Sequence, residues 1–286
     1  MKKLISYFFQ SILVYIFFIL GKITGLRISR IFFSKLFLFA GKFFKSEKII
    51  KYNINIFNNT LPKENRKKIT EEMWKNYGMT FIEYMFLKKF KKNNNHIFVD
   101  GDEKLKEIIK NDKGVIFVSG HFANFELMSM EITKRNYKLA TIYRPLNNYF
   151  LNPLMEHVRR KYVCKNQIKK GLNGVRDSVE YIKKGFSIAL MIDQRVSEGE
   201  KIDFFKKSAL TTTLPAQLAI KYNLSIIPVY IERKKDNNFN LKFLKEIKEN
   251  KFTNKIDLTK KLNFVLEEMI EKNPYQWIWS HNRWKL

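Results

Sequence analysis

A chain of 286 residues, 45% apolar and 15% aromatic with 26 Phe, can bury a sizeable core, which excludes general disorder. Its 54 Lys and Arg against 27 Asp and Glu leave a net charge of +27, pointing to anionic partners: a lipid surface, nucleic acid, phosphorylated ligands or an acidic carrier protein. The single cysteine, Cys164, excludes an internal disulfide and any multi-cysteine metal site.

The first element is apolar. Residues 4–20 carry no charge and lie between Lys2 and Lys3 on one side and Lys22, Arg27 and Arg30 on the other. As a helix this segment spans about 26 Å, slightly less than the roughly 30 Å hydrocarbon core of a bilayer. No small-residue cleavage site follows it, and the basic residues beyond it oppose translocation, which argues against a secretory signal. Aromatics around the whole circumference argue against a buried soluble helix. The segment reads as a membrane anchor. Residues 31–44, where Lys35 and Lys42 interrupt Phe and Leu, read either as an interfacial segment or as a helix of the following core. Many more positive charges follow Leu20 than precede Leu4, so a spanning first segment would leave the body on the cytoplasmic side.

With residues 1–45 assigned to the anchor and interfacial segment, residues 46–286 read as one α/β domain without a linker. The expected fold is a central, largely parallel or mixed sheet flanked by helices. Residues 63–95 have helical periodicity, with Met73, Tyr77, Phe81 and Tyr84 three or four apart. Short apolar runs at 114–119, 139–143, 188–192 and 226–230 predict strands, and 239–243 an edge strand.

Open α/β sheets bind ligands beyond the carboxyl ends of their strands, so the chemistry is sought there. The 114–119 run stops at Ser119-Gly120, His121 follows at once, and Asn124 stands where it can cap a helix that contains Glu126. On one continuous helix residues 121 and 126 lie about 140° apart, so a joint role requires His121 in the turn and Glu126 in the first helical turn. A carboxylate there can accept the proton of one imidazole nitrogen and leave the other as a base; the alternative is an ordinary hydrogen-bonded structural histidine. The chain has no G-x-S-x-G, H-E-x-x-H or G-x-x-x-x-G-K-[ST] motif, which argues against serine hydrolase, zincin and P-loop chemistry. A base without an internal nucleophile suggests direct transfer to a substrate hydroxyl.

His121-Phe-Ala-Asn-Phe-Glu126 is followed in order by Tyr143-Arg144-Pro145, Asn152-Pro153 with Arg159, Asp193-Gln194, Phe204-Phe205, the 211–219 stretch, Ile227-Pro228 and the terminal run from Trp279 to Lys285. This ordered set resembles the lipid A biosynthesis acyltransferases, the late lauroyl and myristoyl transferases of the wider glycerolipid acyltransferase superfamily. Three positions depart from the family pattern: Ala123 and Phe125 stand where Gly and Trp are common, and Lys206 where Gly is usual.

The resemblance implies a glycerolipid acyltransferase-like fold at the inner membrane. It implies transfer of a fatty acyl group from acyl carrier protein to the hydroxyl of an acyl chain on a phosphorylated lipid A precursor, without acyl-enzyme, metal or cofactor. Carried over by position, His121 is the general base and Glu126 its orienting carboxylate, while Arg144, Arg159, Asp193 and Gln194 bind substrate. Arg144, held extended by Pro145, can take a phosphate or form an ordinary ion pair. Asp193 can position Arg144, Arg159 or His121, or cap the following turn. Gln194 can hydrogen-bond either substrate. The basic surface suits the anionic membrane, the acidic carrier and the phosphorylated acceptor alike. Two other readings stay open: an acyl-CoA- or carrier-dependent enzyme for another glycolipid or a lysophospholipid, and a non-catalytic basic membrane or nucleic-acid-binding protein. No nucleic-acid-binding motif occurs, so no nucleic-acid partner is expected.

Overall fold

The computed structural model describes residues 2–44, 47–109, 114–252 and 254–286; the expected boundary between residues 45 and 46 lies outside them. The first helix, α1 (Lys2–Phe44), is two limbs joined at Gly25, whose φ of +79° and ψ of +166° break the helix. Glycine suits that conformation, because a side chain there is strained even in open space. On an unbroken helix Phe17 and Phe33 would sit about 24 Å apart along the axis. Their ring centroids are 5.4 Å apart, so the chain doubles back. The 4–20 and 31–44 segments are therefore the two arms of one hairpin. Phe81 of α3 (Lys63–Glu83) packs against both arms, 5.1 Å from Phe18 and 5.6 Å from Phe33. The outer faces, including Phe9, Leu13, Ile16, Ile23, Ile31 and Phe39, remain exposed. Among the described residues α1 is the one helix long and apolar enough to cross a membrane.

Between the arms and the sheet come α2 (Glu47–Phe57), α3, a 3-10 turn at Tyr84–Phe86 and α4 (Leu87–Lys92). The expected helix over 63–95 thus breaks after Glu83 and ends at Lys92. The strand β1 (Ile97–Asp100) follows and then α5 (Asp102–Ile109). The alternating core is β2 (Ile116–Ser119), α6 (Glu126–Lys134), β3 (Leu139–Tyr143), α7 (Asn152–Val158), β4 (Asn166–Lys169), α8 (Leu172–Lys183) and β5 (Ser187–Met191). A hairpin of β6 (Glu200–Phe204) and β7 (Lys207–Thr211) precedes α9 (Leu214–Tyr222), β8 (Ile226–Arg233), β9 (Phe239–Phe243) and α10 (Lys255–Lys272).

Among the described residues the main sheet has the order β1-β9-β8-β2-β5-β3-β4. The run from β8 to β4 is parallel, while β9 is antiparallel to β8 and β1 is parallel to β9. The sheet is therefore mixed, with its parallel part central. Residues 239–243 form a strand but not an edge: β1 covers its free side, and Phe239, Leu241 and Phe243 are buried. Trp277, Trp279 and Trp284 are also buried, placing the C-terminal aromatic cluster in the core.

Candidate active site

The parallel register sets up the site. Ser119 on β2 pairs with Met191 on β5, so His121 and Asp193 each lie two residues beyond a paired position at the carboxyl end of the sheet. His121 Nδ1 is 2.7 Å from Asp193 Oδ1, and the His121 backbone N–H donates to Asp193 Oδ2 at 2.7 Å. Trp277 Nε1 donates to the same Oδ2 at 2.9 Å. Gly120 allows this approach, since a Cβ there would sit 2.7 Å from the Phe122 ring and 3.3 Å from Asp193 Oδ2. Burial pushes the Asp193 carboxyl up, but the His121 imidazole, its backbone N–H and the Trp277 indole outweigh that and hold its pKa below the usual carboxylate value. Asp193 is fully enclosed, whereas His121 keeps 18% of its side chain exposed, so one edge of the ring stays accessible.

Glu126 does not orient the imidazole, contrary to the expectation drawn from the H-x-x-x-x-E spacing. Its Oε1 accepts the Tyr84 hydroxyl and Arg159 Nε, with Arg159 Nη2 at 2.7 Å from the same oxygen. Arg159 Nη2 also donates to Tyr84 Oη at 3.0 Å, and the guanidinium lies 5.8 Å from both the Tyr84 and the Tyr143 ring centroids. Burial opposes the Arg159 charge, but Glu126 and Tyr84 outweigh it and raise the pKa. Arg159 opens a π-helical turn, Arg159–Val163, that continues α7. Asn124 caps no helix with its side chain. Its Nδ2 donates to Glu83 Oε2 at 2.8 Å instead.

Glu83 is a buried hub. Its carboxylate also takes Arg30 Nε at 2.6 Å and Arg233 Nη2 at 3.0 Å, which ties the second arm of α1, α3, β8 and the His121 turn together. Neighbouring Thr80 donates to the Ala123 carbonyl at 2.9 Å, and the Ala123 N–H donates to Gln276 O. Held this way, Ala123 has a φ of +42°. The hairpin residues Phe205 and Lys206 likewise have φ of +50° and +57°, as a two-residue type I′ connection demands. Two of the three departures from the family pattern, Ala123 and Lys206, thus fall where the backbone favours glycine.

His121, Glu126 and Arg159 share a cavity of about 340 Å³ with Arg144 and Gln194 and with the apolar Phe125, Leu190, Met191 and Leu214. Arg144 is exposed at its rim and has no ion pair among the described residues. Lys170, unmarked in the sequence, lines the same rim beside Arg144; burial and that neighbouring charge lower its pKa. The hydroxyls of Thr211 and Thr213 are used internally, accepting from Arg283 and Gln217. Five of the expected residues thus line one cavity, and Asp193 backs it. Tyr84 reads in sequence as one member of a helical periodicity, and Glu83 and Trp277 carry no local signal of a site; only their spatial neighbours, Glu126, Asn124 and Asp193, reveal them as parts of it.

The family of bacterial lipid A biosynthesis acyltransferases matches residues 2–286. Across 247 residues, 84% of this chain and 79% of the relative, the sequence is 26% identical to the lipid A biosynthesis palmitoleoyltransferase of Escherichia coli K12. It is 24% identical over 196 residues to lipid A biosynthesis acyltransferase 2 of Shigella flexneri, covering 67% of this chain and 60% of that one. Among solved structures, the 1-acyl-sn-glycerophosphate acyltransferase PlsC of Thermotoga maritima aligns with a TM-score of 0.41 at 16% identity, covering 89% of this chain and all of that one. The chain is an α/β acyltransferase. It belongs to the bacterial lipid A biosynthesis acyltransferase family.

Proposed function

We propose that this enzyme transfers a fatty acyl group from acyl carrier protein to the hydroxyl of an acyl chain on a phosphorylated lipid A precursor, from the cytoplasmic face of the inner membrane. The reading rests on one observation above all: a histidine with one ring edge accessible, backed by a buried carboxylate, in the lining of a cavity that also holds a fixed guanidinium. His121 Nε2 takes the proton of the acceptor hydroxyl. The hydroxyl oxygen attacks the thioester carbonyl carbon, the C–S bond breaks, and the departing thiolate receives the proton from the imidazolium. Asp193 keeps Nδ1 protonated and stabilises the imidazolium. Glu126 and Tyr84 hold Arg159 in place, and Arg159, Arg144 and Lys170 supply positive charge for the acidic groups of the substrate. Gln194 adds a hydrogen bond at the cavity wall.

The test supplies purified enzyme with acyl carrier protein and acyl-CoA donors against phosphorylated lipid acceptors, with products identified by mass spectrometry. Acylated lipid A precursor from the carrier-bound donor is expected, with at least a roughly thousandfold lower rate for His121→Ala. Product with CoA alone would replace the donor, product only on a lysophospholipid would replace the acceptor, and no acylated lipid from any pairing would refute the reading.

A further inference from the structure

The rim of the cavity is strapped to the first arm of α1. Asn148 Nδ2 donates to the Tyr7 carbonyl at 2.8 Å, Tyr15 Oη donates to the Phe150 carbonyl at 2.8 Å, and the Phe8 and Phe150 rings meet edge to face at 5.5 Å. Arg144, Pro145, Leu146 and Asn147 of this β3–α7 loop line the cavity mouth. Next to it lies the β4–α8 turn, because β3 and β4 are paired through Tyr143 and Lys169, and the Lys170 N–H donates to the Tyr143 carbonyl at 2.8 Å.

These two neighbouring segments expose apolar side chains that nothing among the described residues covers. Leu172 is 87% exposed and Tyr149 73%, with Leu146, Phe150 and Val175 also open. Around them stand Arg144, Lys169, Lys170 and Arg176; Lys169 and Arg176 lie 3.4 Å from Glu156 and Glu180, while Arg144 and Lys170 have no ion pair among the described residues, and neither 144–151 nor 169–176 contains an acidic residue. Apolar tips among a net excess of cations match the boundary of an anionic bilayer: the tips enter the acyl region and the cations meet the phosphates. The surface is also continuous with the exposed apolar face of the first arm, where Phe8, Ile12 and Leu13 point outward.

We propose that the β3–α7 loop and the β4–α8 turn form a second lipid-contacting surface, distinct from α1, that seats the cavity mouth on an anionic phospholipid bilayer. The inference rests on reading α1 as embedded in the same membrane. The occupant is the bilayer surface itself, since the patch joins exposed apolar side chains to excess positive charge and runs on from the exposed apolar face of the first arm through the Phe8–Phe150 contact.

Single cysteines placed by Leu13→Cys, Leu172→Cys and Asn250→Cys are labelled with an environment-sensitive fluorophore; Cys164 is buried and stays unlabelled in the native chain. The full-length protein is reconstituted into vesicles of phosphatidylcholine alone or mixed equally with phosphatidylglycerol, some carrying nitroxide-labelled acyl chains. Positions 13 and 172 are expected to shift to the blue and be quenched by the nitroxides, position 172 more strongly with phosphatidylglycerol. Position 250, beyond the opposite end of the sheet, should report water. Quenching at 13 with position 172 in water overturns this inference alone; water at both overturns the embedding of α1 as well. A second measurement uses Tyr149→Glu with Leu172→Glu. Acyl transfer to a bilayer-presented acceptor is expected to fall about tenfold while transfer to a micelle-dispersed acceptor is kept. Equal loss in both formats, or no loss in either, overturns the inference.

Discussion

His121 and Asp193 share two contacts, imidazole Nδ1 to one carboxylate oxygen and backbone N–H to the other, each 2.7 Å long. The second contact fixes the turn, so the first fixes the ring. Asp193→Asn is expected to leave the fold intact and to lower kcat by about 10²–10⁴-fold with little change in KM, because the amide no longer stabilises the imidazolium. Steady-state kinetics of the purified variant decide this, and a wild-type kcat would remove Asp193 from the mechanism.

Two residues in left-handed backbone give a stability prediction of opposite sign. Ala123→Gly and Lys206→Gly each relieve a positive φ, of +42° and +57°. Each should stabilise the protein by about 0.5–1 kcal/mol, because the relief exceeds the added flexibility of the unfolded chain. Thermal unfolding in detergent should show an upward shift of about 1–3 °C per substitution. A downward shift at position 206 would mean that the Lys206 side chain carries the hairpin.

Glu83 is fully enclosed between Arg30 and Arg233. Glu83→Gln leaves both guanidinium groups without their counter-charge and should cost about 3–5 kcal/mol in denaturant unfolding. Burial pushes the Glu83 carboxyl up, but Arg233 and Arg30 overcome it and hold the pKa below 4.5. Its contribution is therefore present above the unfolded-state pKa of 4.5 and lost as the pH falls through the lower folded value. The variant should lose that part of the acid dependence, and an unchanged acid limb would deny Glu83 this role.

His96 works the other way around in charge but with the same pH sense. Its ring stacks on Phe90 at 4.6 Å, and burial, reinforced by Lys134, lowers its pKa from 6.5 to about 4. The neutral ring is the one that packs, so the stability it contributes is present above pH 6.5 and is lost as the pH falls toward 4. His96→Gln should flatten the decline in thermal midpoint between pH 7 and 5. An unaltered decline would trace it to other groups.

The apolar runs made four central strands legible, because a strand buried on both faces has to be continuously apolar. The pair Phe98 and Asp100 shows why β1 was not: Phe98 is exposed on a four-residue edge strand, and such a strand needs no such run. The β6–β7 hairpin was hidden for a related reason, as Phe205-Lys206 replaces the usual glycine-bearing turn. The single helix over 63–95 was overextended because its periodicity continues through Tyr84 while the chain bends there to bring the phenol to Glu126.

Residue order alone determined that His121, Arg144 and Asp193 each follow a strand, and that an apolar arm precedes the domain, since strand ends and charge-free stretches are local properties of the chain. Which carboxylate meets His121 was decided only in three dimensions. Glu126 is five positions away but starts a helix that turns it toward Arg159. Asp193 is 72 positions away, yet the in-register pairing of β2 with β5 sets it directly beside the imidazole. Separation along the chain says little about distance once parallel strands are hydrogen-bonded side by side.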